Sequence, residues 1–191
     1  MKKYLSLFLI IALCFCFIAS CSANEAMDRF KNEMQESGSY KISVTVYGMP
    51  FYGDMSITTE FDGNVKYTPD SIAGKEKYVE SSGGFEYVYT KNANGEWQKS
   101  DAKAQGSSLG VGEKAMQNLF DPEKYDVSGK GDKVYTQKKG VSFSGYSDVV
   151  MEFTDDTCTI DLKIVASGES YSAKIVISEL GKVDLKLPEV N

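Results

Sequence analysis

Ser39-Tyr40-Lys41-Ile42-Ser43-Val44-Thr45-Val46-Tyr47 is the stretch that decides the fold. Tyr40, Ile42, Val44 and Val46 alternate with Lys41, Ser43, Thr45 and Tyr47, and a period of two places the two sets on opposite faces of one strand. A helix would scatter the same residues round its whole circumference, and the β-branched Ile, Val and Thr favour the pleated alternative. The segment therefore reads as a half-buried strand.

The same period runs onward through the chain. Gly48 to Gly53 turns it, Met55 to Phe61 alternates back, and Asp62-Gly63-Asn64 turns it again into Val65-Lys66-Tyr67. Lys77 to Glu80, Ser82-Gly83-Gly84, Phe85 to Tyr89, Asn92 to Gly95 and Glu96 to Lys99 continue a meander whose short turns require antiparallel pairing. Ser100 to Gly112 is a polar break, after which Ala115, Met116, Leu119 and Phe120 share one helical face before Asp121-Pro122. Tyr125 and Val127, Val134 to Gln137, Val149 to Phe153, Thr157 to Val165, Tyr171 to Ser178 and Val183 to Leu187 supply further strands. In the other direction, Met27, Phe30 and Met34 recur at helical spacing between Ser22 and Ser37. Ser22 or Asn24 can cap that helix and Ser37-Gly38 ends it. Its polar side carries Asp28, Glu33 and Glu36 beside Arg29 and Lys31, which suits packing on a sheet better than lying on a lipid surface. The expected fold class is α+β, mainly β: a strongly curved antiparallel sheet, an incomplete β-barrel, covered by an N-terminal and a middle helix.

The first twenty residues have a different character. Met1-Lys2-Lys3 is a short basic region, Tyr4 to Ile18 is almost wholly apolar, and a polar stretch follows at once, the pattern of an export signal. The apolar run falls short of the roughly 20 residues that span a bilayer comfortably. Ile18-Ala19-Ser20-Cys21 resembles the bacterial lipobox, in which the cysteine is acylated before cleavage. Residues 1–20 are thus read as a lipoprotein signal peptide, 21–37 as the lipid-anchored N-terminus with the first helix, and 38–191 as the rest of one domain. At about 0.8 kcal/mol per buried CH₂, two or three acyl chains on Cys21 hold a domain stably on a membrane.

Of the 191 residues, 42% are hydrophobic and 25% charged, with 21 Lys and Arg against 27 Asp and Glu. Loss of Lys2 and Lys3 with the signal leaves a net charge of −8. Arg29 is the single arginine, so the chain has little with which to clamp phosphates or bind nucleic acid. There is no histidine, which removes Ser-His and Cys-His dyads, histidine metal sites and the commonest general base. Cys14 and Cys16 leave with the signal and Cys21 carries lipid, so Cys158 has no intramolecular partner; it lies on one face with Ile160 and Leu162 and reads as core.

Local motifs carry no chemistry. Gly106-Ser107-Ser108-Leu109-Gly110 fits the nucleophile-elbow spacing without a preceding strand or a histidine, and Ser100-Asp101-Ala102-Lys103 fits S-x-x-K without its companion motifs. Gly110 to Ala115 mimics a dinucleotide fingerprint without a βαβ unit. Asp155-Asp156 and Asp121 with Glu123 follow no calcium-loop spacing and read as turn residues. An enzyme working with carboxylates alone would need paired acids facing a cleft, which no motif here supplies. The enrichment that could serve binding is aromatic and apolar: Phe85, Tyr87, Tyr89, Trp97, Met116, Leu119 and Phe120 could line a cavity, or could simply fill the core.

In element order the chain resembles the LolA/LppX-like lipoproteins: a lipobox, an N-terminal helix, a long meander ending in Gly95-Glu96-Trp97-Gln98-Lys99, a middle helix, further hairpins, and Ile177 to Pro188 at the end. That resemblance covers most of Asn24 to Pro188. It implies a bent, incomplete barrel with helical cover and space for acyl chains. The family's arginine-dependent sorting features have no counterpart, since only Arg29 exists. The expected function is that of a non-catalytic lipoprotein of the bacterial envelope, extracytoplasmic and held on a membrane through Cys21, binding a lipid or other apolar small molecule. The alternative is an interaction module with a filled core that binds an envelope protein. No metal, cofactor or nucleic acid is expected.

Overall fold

The computed structural model describes residues 25–69, 75–104, 118–131, 133–166 and 168–190. One helix, α1 (Glu25–Ser37), precedes β1 (Ser39–Met49), β2 (Gly53–Asp62), β3 (Val65–Thr68), β4 (Lys77–Ser82), β5 (Phe85–Lys91), β6 (Trp97–Lys99) and β7 (Lys103–Ala104). After a 3₁₀ turn at Pro122–Lys124 come β8 (Tyr125–Ser128), β9 (Val134–Gln137), β10 (Tyr146–Phe153), β11 (Cys158–Ala166) and β12 (Glu169–Ser178). Eleven of the twelve strands lie side by side in the order β6-β5-β4-β3-β2-β1-β12-β11-β10-β9-β8, and β7 pairs with β5. Every pairing is antiparallel, and the sheet is open and curved.

β1 is the seam. Two meanders, one on each side, meet where Ile42 faces Ile177 and Val44 faces Ile175. On its other edge β1 pairs with β2, with Tyr40 opposite Phe61 and Val46 opposite Met55. Because paired residues share a face, these registers put Tyr40, Ile42, Val44 and Val46 on the same side of the sheet as Ala173, Ile175 and Ile177, here called the inner face.

The core sits on the inner face of β8 to β12, under α1. Met27 and Phe30 of the helix are buried, with Tyr135, Val149, Met151, Phe153, Cys158, Ile160 and Ile177 beneath or beside them. Burying a side chain of that size contributes about 1.5–3 kcal/mol. Phe30 meets Phe153 edge-on at 5.5 Å and stacks on Phe120 at 6.3 Å. The helix ends at Gly38, whose left-handed φ of 59° lets its N–H reach the Met34 carbonyl at 3.2 Å. Cys158 lies in this core, and burial pushes its thiol pKa well above the ordinary value.

One expectation changes. Val183 to Leu187 forms no strand, because both edges of the neighbouring β1 are already taken by β2 and β12. Side chains hold the segment instead: Val183 N–H donates to Ser39 Oγ at 2.9 Å, and Leu185 N–H donates to Asp62 Oδ2 at 2.9 Å. The expected middle helix falls mostly outside the described residues; Asn118 and Leu119 are helical, and Leu119 and Phe120 are buried in the core. The signal segment, Cys21, Gly106 to Gly110, Gly110 to Ala115 and Met116 lie outside the described residues.

Candidate functional site

The pairing sorts the aromatic supply onto two faces. Glu60 pairs with Tyr67, Tyr67 with Tyr78, Tyr78 with Tyr89, and Tyr89 with Lys99. Since Lys41 pairs with Glu60, this whole row lies opposite the face that carries α1. Trp97 pairs with Lys91, and Tyr87 pairs with Glu80, on the same outer face; Phe85, two residues before Tyr87, shares that face and is exposed at the strand end. Leu119 and Phe120 lie on the inner face against Phe30 and Phe153. The sheet therefore separates Phe85, Tyr87, Tyr89 and Trp97 from Leu119 and Phe120, and these residues do not converge on one cavity.

On the outer face, rings and charges satisfy one another. Tyr67 and Tyr78 are 4.5 Å apart between centroids, and Trp97 meets Tyr78 edge-on at 5.4 Å. Lys91 Nζ lies 4.9 Å from the Trp97 ring and 2.6 Å from Glu76 Oε2. Lys99 Nζ lies 4.1 Å from the Tyr87 ring and 3.1 Å from Glu80 Oε2. Tyr67 donates to Glu76 at 3.1 Å and Tyr89 donates to Glu80 at 2.7 Å. The hydrogen bond from Lys91 holds the Glu76 carboxyl below its ordinary range, and those from Tyr89 and then Lys99 do the same for Glu80. Burial, helped by the Glu76 hydrogen bond, pushes the Tyr67 hydroxyl up to about 12. Carboxyls held ionised in this way are poor proton donors near neutrality, so the cluster suits packing and contact better than acid catalysis.

The inner face carries a different feature. Ile175, Val44 and Ile57 form one cross-strand row, and Ala173, Val46 and Met55 form the next. Val44 and Val46 pack against the filled core, while Met55 and Ile57 carry the apolar surface beyond it onto β2; all four are half-buried. The row below ends in the polar Thr59, Thr68 and Lys77. Tyr40 stacks on Phe61 at 4.7 Å in the row beyond Ile42 and Thr59, nearer the start of β1. Alternation in Met55 to Phe61 revealed Met55 and Ile57 as one face of a strand, but the residues that meet them were legible only from the β1 to β12 register.

A half-open pocket of about 360 Å³ lies between β9, β10 and their connection, lined by Gln137, Lys138, Val141 and Asp148 among others. Gln137 spans it, donating to the Val141 carbonyl at 2.6 Å and accepting from Val149 N–H at 3.0 Å. That closes the irregular β10 segment around Asp148, whose φ is 54°. Ser100 Oγ accepts from Val88 N–H at 2.9 Å, which ties it to β5 as a structural residue. Asp121 caps the 3₁₀ turn, and Asp155 pairs with Lys133 and Arg29 at a turn. Among the described residues, no group of three His, Cys, Asp or Glu side chains could hold a metal, and no helix is long and apolar enough to cross a membrane. No family model and no curated protein matches the chain.

Proposed function

We propose that the chain is a non-catalytic lipoprotein of the bacterial envelope, anchored through acylated Cys21, which holds the acyl part of a lipid or another apolar small molecule against the inner face of a half-barrel. The observation that carries this reading is the half-buried apolar surface Val44, Val46, Met55 and Ile57, which prolongs the inner face beyond the filled core. Apolar area on a curved sheet binds hydrocarbon by removing both from water, and polar Thr59, Thr68 and Lys77 give such a surface an edge. The lipobox ending at Cys21 supports the anchor.

Native mass spectrometry of the gently purified protein, followed by organic extraction, tests the reading. The expected result is a stoichiometric acyl-chain ligand that rebinds to stripped protein, is lost in Ile57→Asp and is retained in Trp97→Ala. A ligand-free mass that takes up nothing from mixed lipids would sink it. Cys21→Ala is expected to release the protein from membranes without unfolding it.

A second reading, a module that binds an envelope protein, is favoured by the outer-face cluster of Tyr67, Tyr78 and Trp97. Loss of a partner with Tyr78→Ala and not with Ile57→Asp would select it.

A further inference from the structure

The hairpin between β1 and β2 ends in Tyr47-Gly48-Met49-Pro50-Phe51-Tyr52-Gly53, seven residues without a charge. Phe51 is 104% exposed, Tyr52 65% and Tyr47 40%. Tyr52 N–H donates to the Met49 carbonyl at 3.2 Å, which makes Met49 to Tyr52 a tight turn with Pro50 and Phe51 at its centre. Phe51 has a φ of 69°, and because proline cannot adopt positive φ the turn is of type II. Glycine normally fills that third place. A phenylalanine there keeps a strained backbone and presents its whole ring to water, a combination that folding alone does not favour.

The tip is also preformed. Asp54 Oδ1 accepts from Gly48 N–H at 2.9 Å, so the nearest carboxylate is turned back onto the base of the loop. Val165, 50% exposed beside the β11–β12 turn, lies at the same end of the sheet. Even fully covered, three aromatic side chains at about 150–250 Å² each fall short of the roughly 800 Å² per partner of a stable protein interface. The same side chains suit the boundary between lipid headgroups and acyl chains, where Tyr and other aromatic rings concentrate.

We propose that this tip dips into a lipid bilayer, with Phe51 entering the acyl region and Tyr47 and Tyr52 at headgroup level. The proposal takes its setting from the anchored reading above and adds a second, reversible contact with the lipid surface, in which uncharged insertion makes binding insensitive to salt.

The test uses the full chain reconstituted in phosphatidylcholine vesicles, with Phe51→Trp in a Trp97→Phe background and bromine on the lipid acyl chains. The expected result is at least twofold quenching of the introduced indole, unchanged in high salt, and a blue-shifted emission. A chain that floats with the vesicles while that indole stays unquenched overturns the proposal, leaves the anchor standing and points to a protein pocket for the tip. A chain that does not float overturns both. Phe51→Gly is expected to abolish the lipid contact and yet raise the melting temperature by roughly 2–4 °C, because glycine relieves the left-handed turn. A lowered melting temperature would show that Phe51 serves the fold.

Discussion

The two halves of the sheet are built from the same alternating pattern and packed by different means. On the β8 to β12 side, α1 covers the inner face, and Met27, Phe30, Tyr135, Met151, Phe153 and Ile177 are buried almost completely. On the β2 to β6 side, Val79 and Tyr89 are the buried apolar residues among those described, and on the outer face Tyr67, Tyr78 and Trp97 touch one another while lysine ammonium groups lie over Trp97 and Tyr87. One half is held by exclusion of water from a dense interior. The other depends on rings, hydrogen bonds and long lysine stems that remain partly wet. The apolar patch of Met55 and Ile57 and the projecting tip at Phe51 both belong to the wet half, so both proposed contacts fall on the side held by fewer buried side chains among those described.

The largest effect should come from the dense half. Phe30→Ala or Phe153→Ala removes a buried ring from this interior, and each is expected to lower unfolding free energy by about 3–5 kcal/mol in urea titrations. Trp97→Ala on the other half removes an edge-on ring contact and a cation contact, with an expected loss of about 1–2 kcal/mol. A loss as large as that of Phe30→Ala would erase the distinction between the halves. Tyr125→Phe deletes a buried hydroxyl that donates to the Leu119 carbonyl at 2.8 Å and should cost about 1 kcal/mol. That value measures how firmly the segment entering β8 is fastened to the core.

The smallest effects are in pH, and they belong to the outer face. Glu76 and Glu80 have lowered pKa values, so their stabilising contribution is complete above the ordinary carboxyl value of 4.5. It is lost as pH falls through their lowered folded values, and Trp97 emission, next to Lys91, should report the change. Tyr67 shifts the other way. Its neutral form is favoured in the folded protein, so its contribution is complete below the ordinary value of 10 and fades as pH rises towards about 12. Ultraviolet titration of Tyr67→Phe should therefore lack one late-ionising tyrosine. An unchanged late phase would place the delayed ionisation elsewhere.

Much of the architecture was legible in particular residues. Met27, Phe30 and Met34 marked the inward stripe of α1, Gly38 its end, and the alternation from Cys158 to Leu162 the buried face of β11. The candidate site was legible only in part. Phe85, Tyr87, Tyr89 and Trp97 stood out by ring content, yet a strand with aromatics at every second place states that they share a face without stating which face. Val183 to Leu187 misled for a related reason, since alternation describes a segment fit for a sheet and not whether an edge is free to receive it.

Sequence by itself determined the antiparallel, mainly β character, the amphipathic first helix, the buried state of Cys158 and the lack of any histidine chemistry. These follow from local periodicity and composition, which act within a few residues. Tertiary structure alone decided that β1 would join both meanders, that Ile42 would face Ile177 from the far end of the chain, and that the tyrosine row would lie opposite α1. Inner and outer are not properties of a strand. They arise only when one face loses water to a helix, and that choice is made between segments distant in sequence, by the total apolar area they can bury together.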